Sequence, residues 1–332
     1  MGTWAILLTL GGVLAVSVRD VAQRYVLKEK LFSEKEIRVF QWTFTAVALA
    51  ALWLLGDGMS ASKNSNPLFW GAVILVTVTN FFIQPALVRS KKRGAASLTA
   101  SVASLTPFLL TIVVLLLHEK PTWQGGVGIG LISFGNYAHL RENATTLTEW
   151  LLPFSWLFVL PKNFETLTPT EQEKVLSDRS ALHYAYGAAI LGTFGLIGEA
   201  LTAREGDLLL GFAIQSTILA IAFASISFGQ ETFTASFVTR WQQYKKPLLI
   251  IGTCGALHLL LMGLAFRIAP VAYVGSLKRL SIVVVVVLSI YVLKEAKARK
   301  RLWPAVVVTV GSMLLVFDGS TDYLVTLIQR NW

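Results

Sequence analysis

Lys278 and Arg279 stand side by side inside the apolar run 271–293 (VAYVGSLKRLSIVVVVVLSIYVL), four and three residues from its middle. That offset corresponds to about 5 Å of helix rise. A cation so far from the ends of an apolar helix must meet a carboxylate, water or an anionic ligand, because lipid exposure is costly. Adjacent helical residues point about 100° apart, so one group cannot engage both cations equally. Two readings stand. In one, Lys278 or Arg279 meets a carboxylate or phosphate of a solute while the other pairs with Asp20 or Glu199. In the other, the charges form a structural ion pair.

Other polar residues fall inside apolar runs. Arg19 and Asp20 lie near the middle of 4–27, with Arg24 four residues after Asp20. That spacing suits an intrahelical Asp20–Arg24 pair, and Asp20 is also a candidate protonatable coupling site. Glu199 lies roughly 10 Å along the helix from the middle of 181–203 and can snorkel or titrate. His258 is at the centre of 247–267, as a neutral hydrogen-bonded imidazole or a proton relay. Asn80 and Gln84, four apart, can bind a polar solute or hydrogen-bond a neighbouring helix. Enzyme signals are missing. His118, His139, His183 and His258 have no metal-ligand spacing, and Cys254 is the single cysteine. No nucleophile elbow or phosphate loop occurs. No catalytic residue, metal or cofactor is therefore expected, and without a Walker motif ATP is not the energy source within this chain.

The elements that must position these residues are long and apolar. Of 332 residues 54% are hydrophobic and only 14% charged, where a soluble domain carries roughly a quarter charged. Ten stretches approach the length that crosses a bilayer of about 30 Å: 4–27, 39–55, 67–88, 95–117, 121–140, 181–203, 208–229, 247–267, 271–293 and 302–317. Period-two alternation is absent, so these are helices. The stretch 150–161 carries Pro153 and is too short to span, so it lies at the interface. With ten spans, the loops after the odd-numbered ones, with the span ends beside them, hold 21 Lys and Arg against 5 on the other side. Basic residues mark the cytoplasmic side, which accounts for the net charge of +10 without nucleic acid. Both termini then face away from the cytoplasm, in a multi-pass protein of the plasma (inner) membrane. The clusters 89–93 and 294–301 would meet anionic lipid headgroups.

The chain is also written twice, 176 residues apart. The segment 95–119 (AASLTASVASLTPFLLTIVVLLLHE) aligns without a gap on 271–295. Glu119 and Glu295 close these units, and sixteen residues after each comes a glycine, Gly135 and Gly311. Each glutamate ends one helix and opens the next, where a carboxylate favours the helix N-terminus. Gly126 and Gly130, with Gly128 and Gly135, suit close helix packing. An odd number of spans per repeat sends the second half into the membrane from the opposite side. The two halves then enclose a cavity that opens alternately to each face.

The unit Thr106-Pro107…His118-Glu119-Lys120-Pro121-Thr122-Trp123-Gln124…Gly130…Gly135 and its repetition Ser276-Leu277-Lys278-Arg279…Lys294-Glu295…Gly311 resemble the EamA-type permeases of the drug/metabolite transporter superfamily. The resemblance covers nearly the whole chain and implies that spans 1, 3, 4, 6, 8 and 9 line the cavity. It makes Pro107, Glu119, Gly135, Glu295 and Gly311 repeat-motif residues. Two departures stand out: a long connection between the halves, and Gln23 and Glu199 where many relatives carry lysine.

The expected fold is an all-α membrane protein, with ten transmembrane helices as two inverted five-helix repeats. Residues 1–140 form the first repeat, 141–180 the connecting loop with its interfacial segment, 181–319 the second repeat and 320–332 a tail. The expected function is a secondary-type permease that moves a small polar metabolite, anionic or zwitterionic, by alternating access. A lipid-handling protein of the same fold, whose two cations hold a lipid phosphate, is the alternative. Partners are the solute and membrane lipids; the sequence admits a homo-oligomer.

Overall fold

Apolar stretches of this length fold as helices because hydrocarbon supplies no partner for backbone N–H and C=O groups. In the computed structural model the described residues are 2–29, 31–56, 66–93, 106, 109, 110, 112, 122–140, 164–228, 236–293 and 302–317. All regular structure among them is helical: α1 (Thr3–Lys28), α2 (Glu34–Leu55), α3 (Pro67–Arg93), α4 (Trp123–Leu140), a short 3₁₀ turn (Phe164–Thr166), α5 (Pro169–Glu205), α6 (Leu208–Phe228), α7 (Ser236–Ile268), α8 (Val271–Leu277), α9 (Leu280–Leu293) and α10 (Leu302–Val316). Most of 95–117, the stretch 150–161, the residues Pro107, Glu119 and Glu295, and the tail 320–332 lie outside the described residues.

Among the described residues six helices are long and apolar enough to cross a membrane: Thr3–Leu27, Glu34–Leu55, Pro67–Ala86, Pro169–Glu205, Leu208–Ser227 and Tyr244–Ile268. The outside of the bundle is apolar, with Leu14, Val47, Ile74, Ile221 and Val306 exposed, while Ser17, Asn136, Glu199, Gln215 and His258 are buried. Polar residues inside and large aliphatics outside is the arrangement lipid demands.

Three elements depart from the expected spans. α5 begins at Pro169, so residues 169–180 of the anticipated connection are helical. A capping box starts it: Thr168 Oγ1 accepts from the Glu171 N–H while the Glu171 carboxylate accepts from the Thr168 N–H, with Pro169 in the first turn. Its 37 residues rise about 55 Å, more than the hydrocarbon thickness, so the helix projects beyond it. α7 likewise starts before Pro247, and Tyr244 inside it has non-helical φ −121° and ψ 28°. Pro247 has no N–H to bond back toward residue 243, which accounts for a kink here. Span 271–293 is not one helix. It divides into α8 and α9 at Lys278–Arg279, where the Arg279 N–H bonds the Ser276 carbonyl at 2.9 Å and the Ser281 N–H bonds the Lys278 carbonyl at 3.1 Å. These i→i+3 bonds tighten the chain at a turn that begins three residues after Gly275, a poor helix former.

Four main pairings organise the bundle: α1 on α7, α3 on α5, α2 on α6 and α4 on α10. In the numbering of ten spans these are first with eighth, third with sixth, second with seventh and fifth with tenth. Exchanging every span for its counterpart five places along returns the same four pairs. In the α4–α10 seam a Cβ on Gly128 would lie 2.8 Å from the Gly311 carbonyl oxygen, and one on Gly311 would lie 2.7 Å from that of Gly128. Gly135 is in the same seam, seven residues on, whereas a Cβ on Gly126 or Gly130 would meet nothing within 4 Å. The close approach thus uses the face carrying Gly128 and Gly135, two turns apart, and not the Gly126/Gly130 pair.

At one end of the bundle α5 and α7 hold each other. Arg204 donates to the carbonyls of Phe266 (2.7 Å) and Ala269 (2.8 Å), and Arg267 donates to those of Ala203 and Gly206. Each guanidinium thereby satisfies carbonyls at the C-terminal end of the other's helix. Beside them Asp207 caps α6 through the N–H groups of Leu209 and Leu210 and accepts from Trp53 Nε1 at 3.2 Å. Asn66 Nδ2 donates to Glu205 at 2.9 Å.

Candidate solute-binding site

Charged side chains converge where α1, α5 and α7 meet the α8–α9 turn. α5 supplies Glu199, 8% exposed, and the turn supplies Lys278, whose Nζ lies 3.7 Å from Glu199 Oε2. Lys278 thus faces one of the two carboxylates proposed from sequence. Arg279, next along the turn, has a buried Nε with no hydrogen-bond partner among the described residues. The fully buried Ser276 hydroxyl, three residues back, is also unmatched among them.

Asp20 does not serve Lys278. Its Oδ1 accepts from Arg19 Nη2 at 2.8 Å and Nε at 3.0 Å. This pair joins sequence neighbours, beside the Asp20–Arg24 pair anticipated from the spacing. The side chain of Arg24 lies outside the description. α1 is fastened to α9 by Ser17, whose hydroxyl reaches the Val13 carbonyl at 2.7 Å and the Ser281 carbonyl at 3.3 Å.

His258 on α7 is 4% exposed, and its Nδ1 lies 2.9 Å from the Gly12 carbonyl oxygen on α1. A carbonyl only accepts, so Nδ1 carries the proton. Gly12 allows this approach, because a Cβ there would sit 2.9 Å from Met262 Sδ. Lys278 and Arg19 both act electrostatically on His258, and Arg19 and Arg279 act on Lys278. Among the described side chains, Arg19, Lys278 and Arg279 against Asp20 and Glu199 leave one positive charge in excess. Such a centre favours a ligand with an anionic group.

Asn80 and Gln84 stand apart from this centre. Asn80 Nδ2 donates to the Val76 carbonyl of its own helix at 3.0 Å, and Gln84 is half-buried one turn further along α3. No described bond joins either to the charged residues. Of the motif residues, Gly135 and Gly311 sit in the α4–α10 seam.

Sequence reasoning did not find the ion pair between Glu36 and Arg240, Nη2 to Oε1 at 2.7 Å. It also missed the Gln23–Gln41 bond, 2.7 Å, between α1 and α2. The one local signal was Ser33-x-x-Glu36, a capping-box pattern, realised at the start of α2.

Residues 3–139 match the model of the EamA-like transporter family. No curated protein matches the chain. A solved crystal structure of another protein superposes with a TM-score of 0.68 at 14% identity, covering 95% of this chain and 96% of the other. At that identity the likeness shows the fold alone. An EamA-like match over fewer than half of the residues, together with six helices fit to cross a bilayer among the described residues, supports an integral, multi-pass membrane protein.

Proposed function

We propose that the chain is a secondary-type permease that moves a small polar solute bearing a carboxylate or phosphate, by alternating access between two inverted five-helix halves of a ten-span protein. The observation that carries this reading is the α8–α9 turn. It interrupts a membrane-length apolar stretch and presents Lys278 and Arg279 to the interior, with one carboxylate, Glu199, at 3.7 Å and Arg279 Nε unmatched among the described residues. Broken helices at membrane depth occur where backbone lines a cavity. The four helix pairs, unchanged when spans are exchanged five places along, and the 176-residue duplication support the inverted repeat. An anionic group would engage one cation while Glu199 keeps the other balanced. The 21-to-5 distribution of basic residues supports termini on the non-cytoplasmic side.

Thermal stabilisation of the detergent-purified protein tests the solute class, since a ligand of the folded state raises apparent stability. Carboxylates and phosphates should raise the melting temperature of the wild type and not of a Lys278→Ala/Arg279→Ala variant. Stabilisation by organic cations alone would overturn the anionic site. If the purified protein in liposomes scrambles labelled phospholipid and binds no soluble anion, the same cations hold lipid phosphate instead.

A further inference from the structure

Away from the Lys278 centre, at the end of the bundle where α1 turns into α2, the molecule has a further ion pair and an apolar cluster of its own. Glu36 is only 2% exposed. Its Oε2 accepts from the Ser33 N–H at 2.7 Å, and Arg240 reaches its two oxygens at 2.7 and 3.4 Å. Arg240 also donates to the Leu31 carbonyl at 3.0 Å, and its guanidinium lies 5.3 Å from the centre of the Phe32 ring. Around this knot Val26, Phe32, Ile37, Leu248 and Ile251 form a cluster distinct from the main core, with Trp241 packed on Phe40 at 5.0 Å between centroids. The α1–α2 corner is thereby joined to the start of α7.

The segment of α7 that carries Arg240 is set off from the rest of the helix. Tyr244 leaves helical geometry, and Pro247 removes the backbone donor that would stiffen the joint. The other end of α7 is held to α5 by Arg267 and Arg204. The duplication does not repeat the device. At the duplication offset of 176, the counterparts of Glu36 and Arg240 are Phe212 and Asn64, neither charged.

We infer that Glu36 and Arg240 form a latch that closes one mouth of the solute pathway, and that segment 236–243 swings about Tyr244 when the mouth opens. The inference rests on the permease reading, in which that mouth must open once per cycle. A guanidinium bonded to a carboxylate and a carbonyl is a suitable closure, because its parts separate as one unit and both ends can be hydrated once apart. The aromatic contacts of Phe32, Phe40 and Trp241 exclude water while it is shut.

Cys254, the chain's single cysteine, is a built-in reporter. It is half-buried on α7 one turn before His258, within electrostatic reach of Arg19. The full-length protein, in right-side-out and inside-out membrane vesicles, is treated with a membrane-impermeant maleimide, and the rate of Cys254 labelling is measured. Glu36→Gln keeps an acceptor for the Ser33 N–H while removing the charge; Arg240→Gln removes the fork. Both should raise the labelling rate at least tenfold from one side of the membrane. Wild-type rates from both sides in a folded Glu36→Gln variant, its melting temperature preserved, would overturn the latch. If Arg240→Gln fails to fold, Glu36→Gln alone decides. The side that gains access tests the permease topology separately. Access from the cytoplasmic side agrees with the basic-residue distribution; access from the other side overturns that orientation and leaves the latch standing.

Discussion

Between Lys278 Nζ and Glu199 Oε2 the separation is 3.7 Å, longer than the roughly 2.7–2.9 Å of a charge-assisted hydrogen bond. The pair is a contact of charges more than a tight bond, which suits a cation that must also serve a passing anion. Removing one member still strands the other. Lys278→Ala should destabilise the protein by up to about 3 kcal/mol, the low end of the range for a broken buried pair because the lysine is partly exposed. Adding Glu199→Ala should restore most of it, and denaturant unfolding in mixed micelles would show the two curves. A double-variant loss equal to the sum of the Lys278→Ala and Glu199→Ala losses would mean that the pair does not interact. The positions of Lys278 and His258 were legible because a polar residue far inside an apolar run has few places to go. Glu199 was one of two named partners for the lysine, and only the bundle chose between them. The Arg240–Glu36 pair was invisible because its members are 204 residues apart and no local pattern couples them. Arg19–Asp20 was missed because neighbours on a helix ordinarily diverge.

Among the elements, the α4–α10 seam separates two glycines that look alike in sequence. Gly128→Ala would place a methyl group 2.8 Å from a backbone carbonyl, and neither backbone yields cheaply, so a loss of about 1–3 kcal/mol is expected. Gly130→Ala meets open space and should be neutral or stabilising by up to about 1 kcal/mol through better helix propensity. Melting curves of the two variants side by side check this, and a reversed order would show that α4 presents another face to α10. Helix existence followed from apolar length, but helix ends did not. The Thr168 box and Pro169 launch α5 twelve residues ahead of its apolar part, because capping and a first-turn proline act where hydropathy is silent. The division of 271–293 has no signature in hydropathy either. It came from two cations and a nearby glycine, residues that hydropathy averages away.

Across the whole molecule, one duplicated sequence and one set of reciprocal helix pairs point the same way, and the asymmetry of basic residues supplies a direction. An epitope placed before Thr3 should be reached by antibody on intact cells, and one in the 294–301 loop only after permeabilisation. The opposite result would invert the protein in its membrane. What the sequence left unread at this scale is how helices far apart along the chain are fastened, since contacts between them depend on crossing geometry. The crossed arginines of α5 and α7 show what such fastening entails. Each guanidinium shields carbonyls that are not its own, so losing either one exposes the tip of the opposite rod. The two helix ends are therefore capped in trans, each by a side chain borrowed from the other.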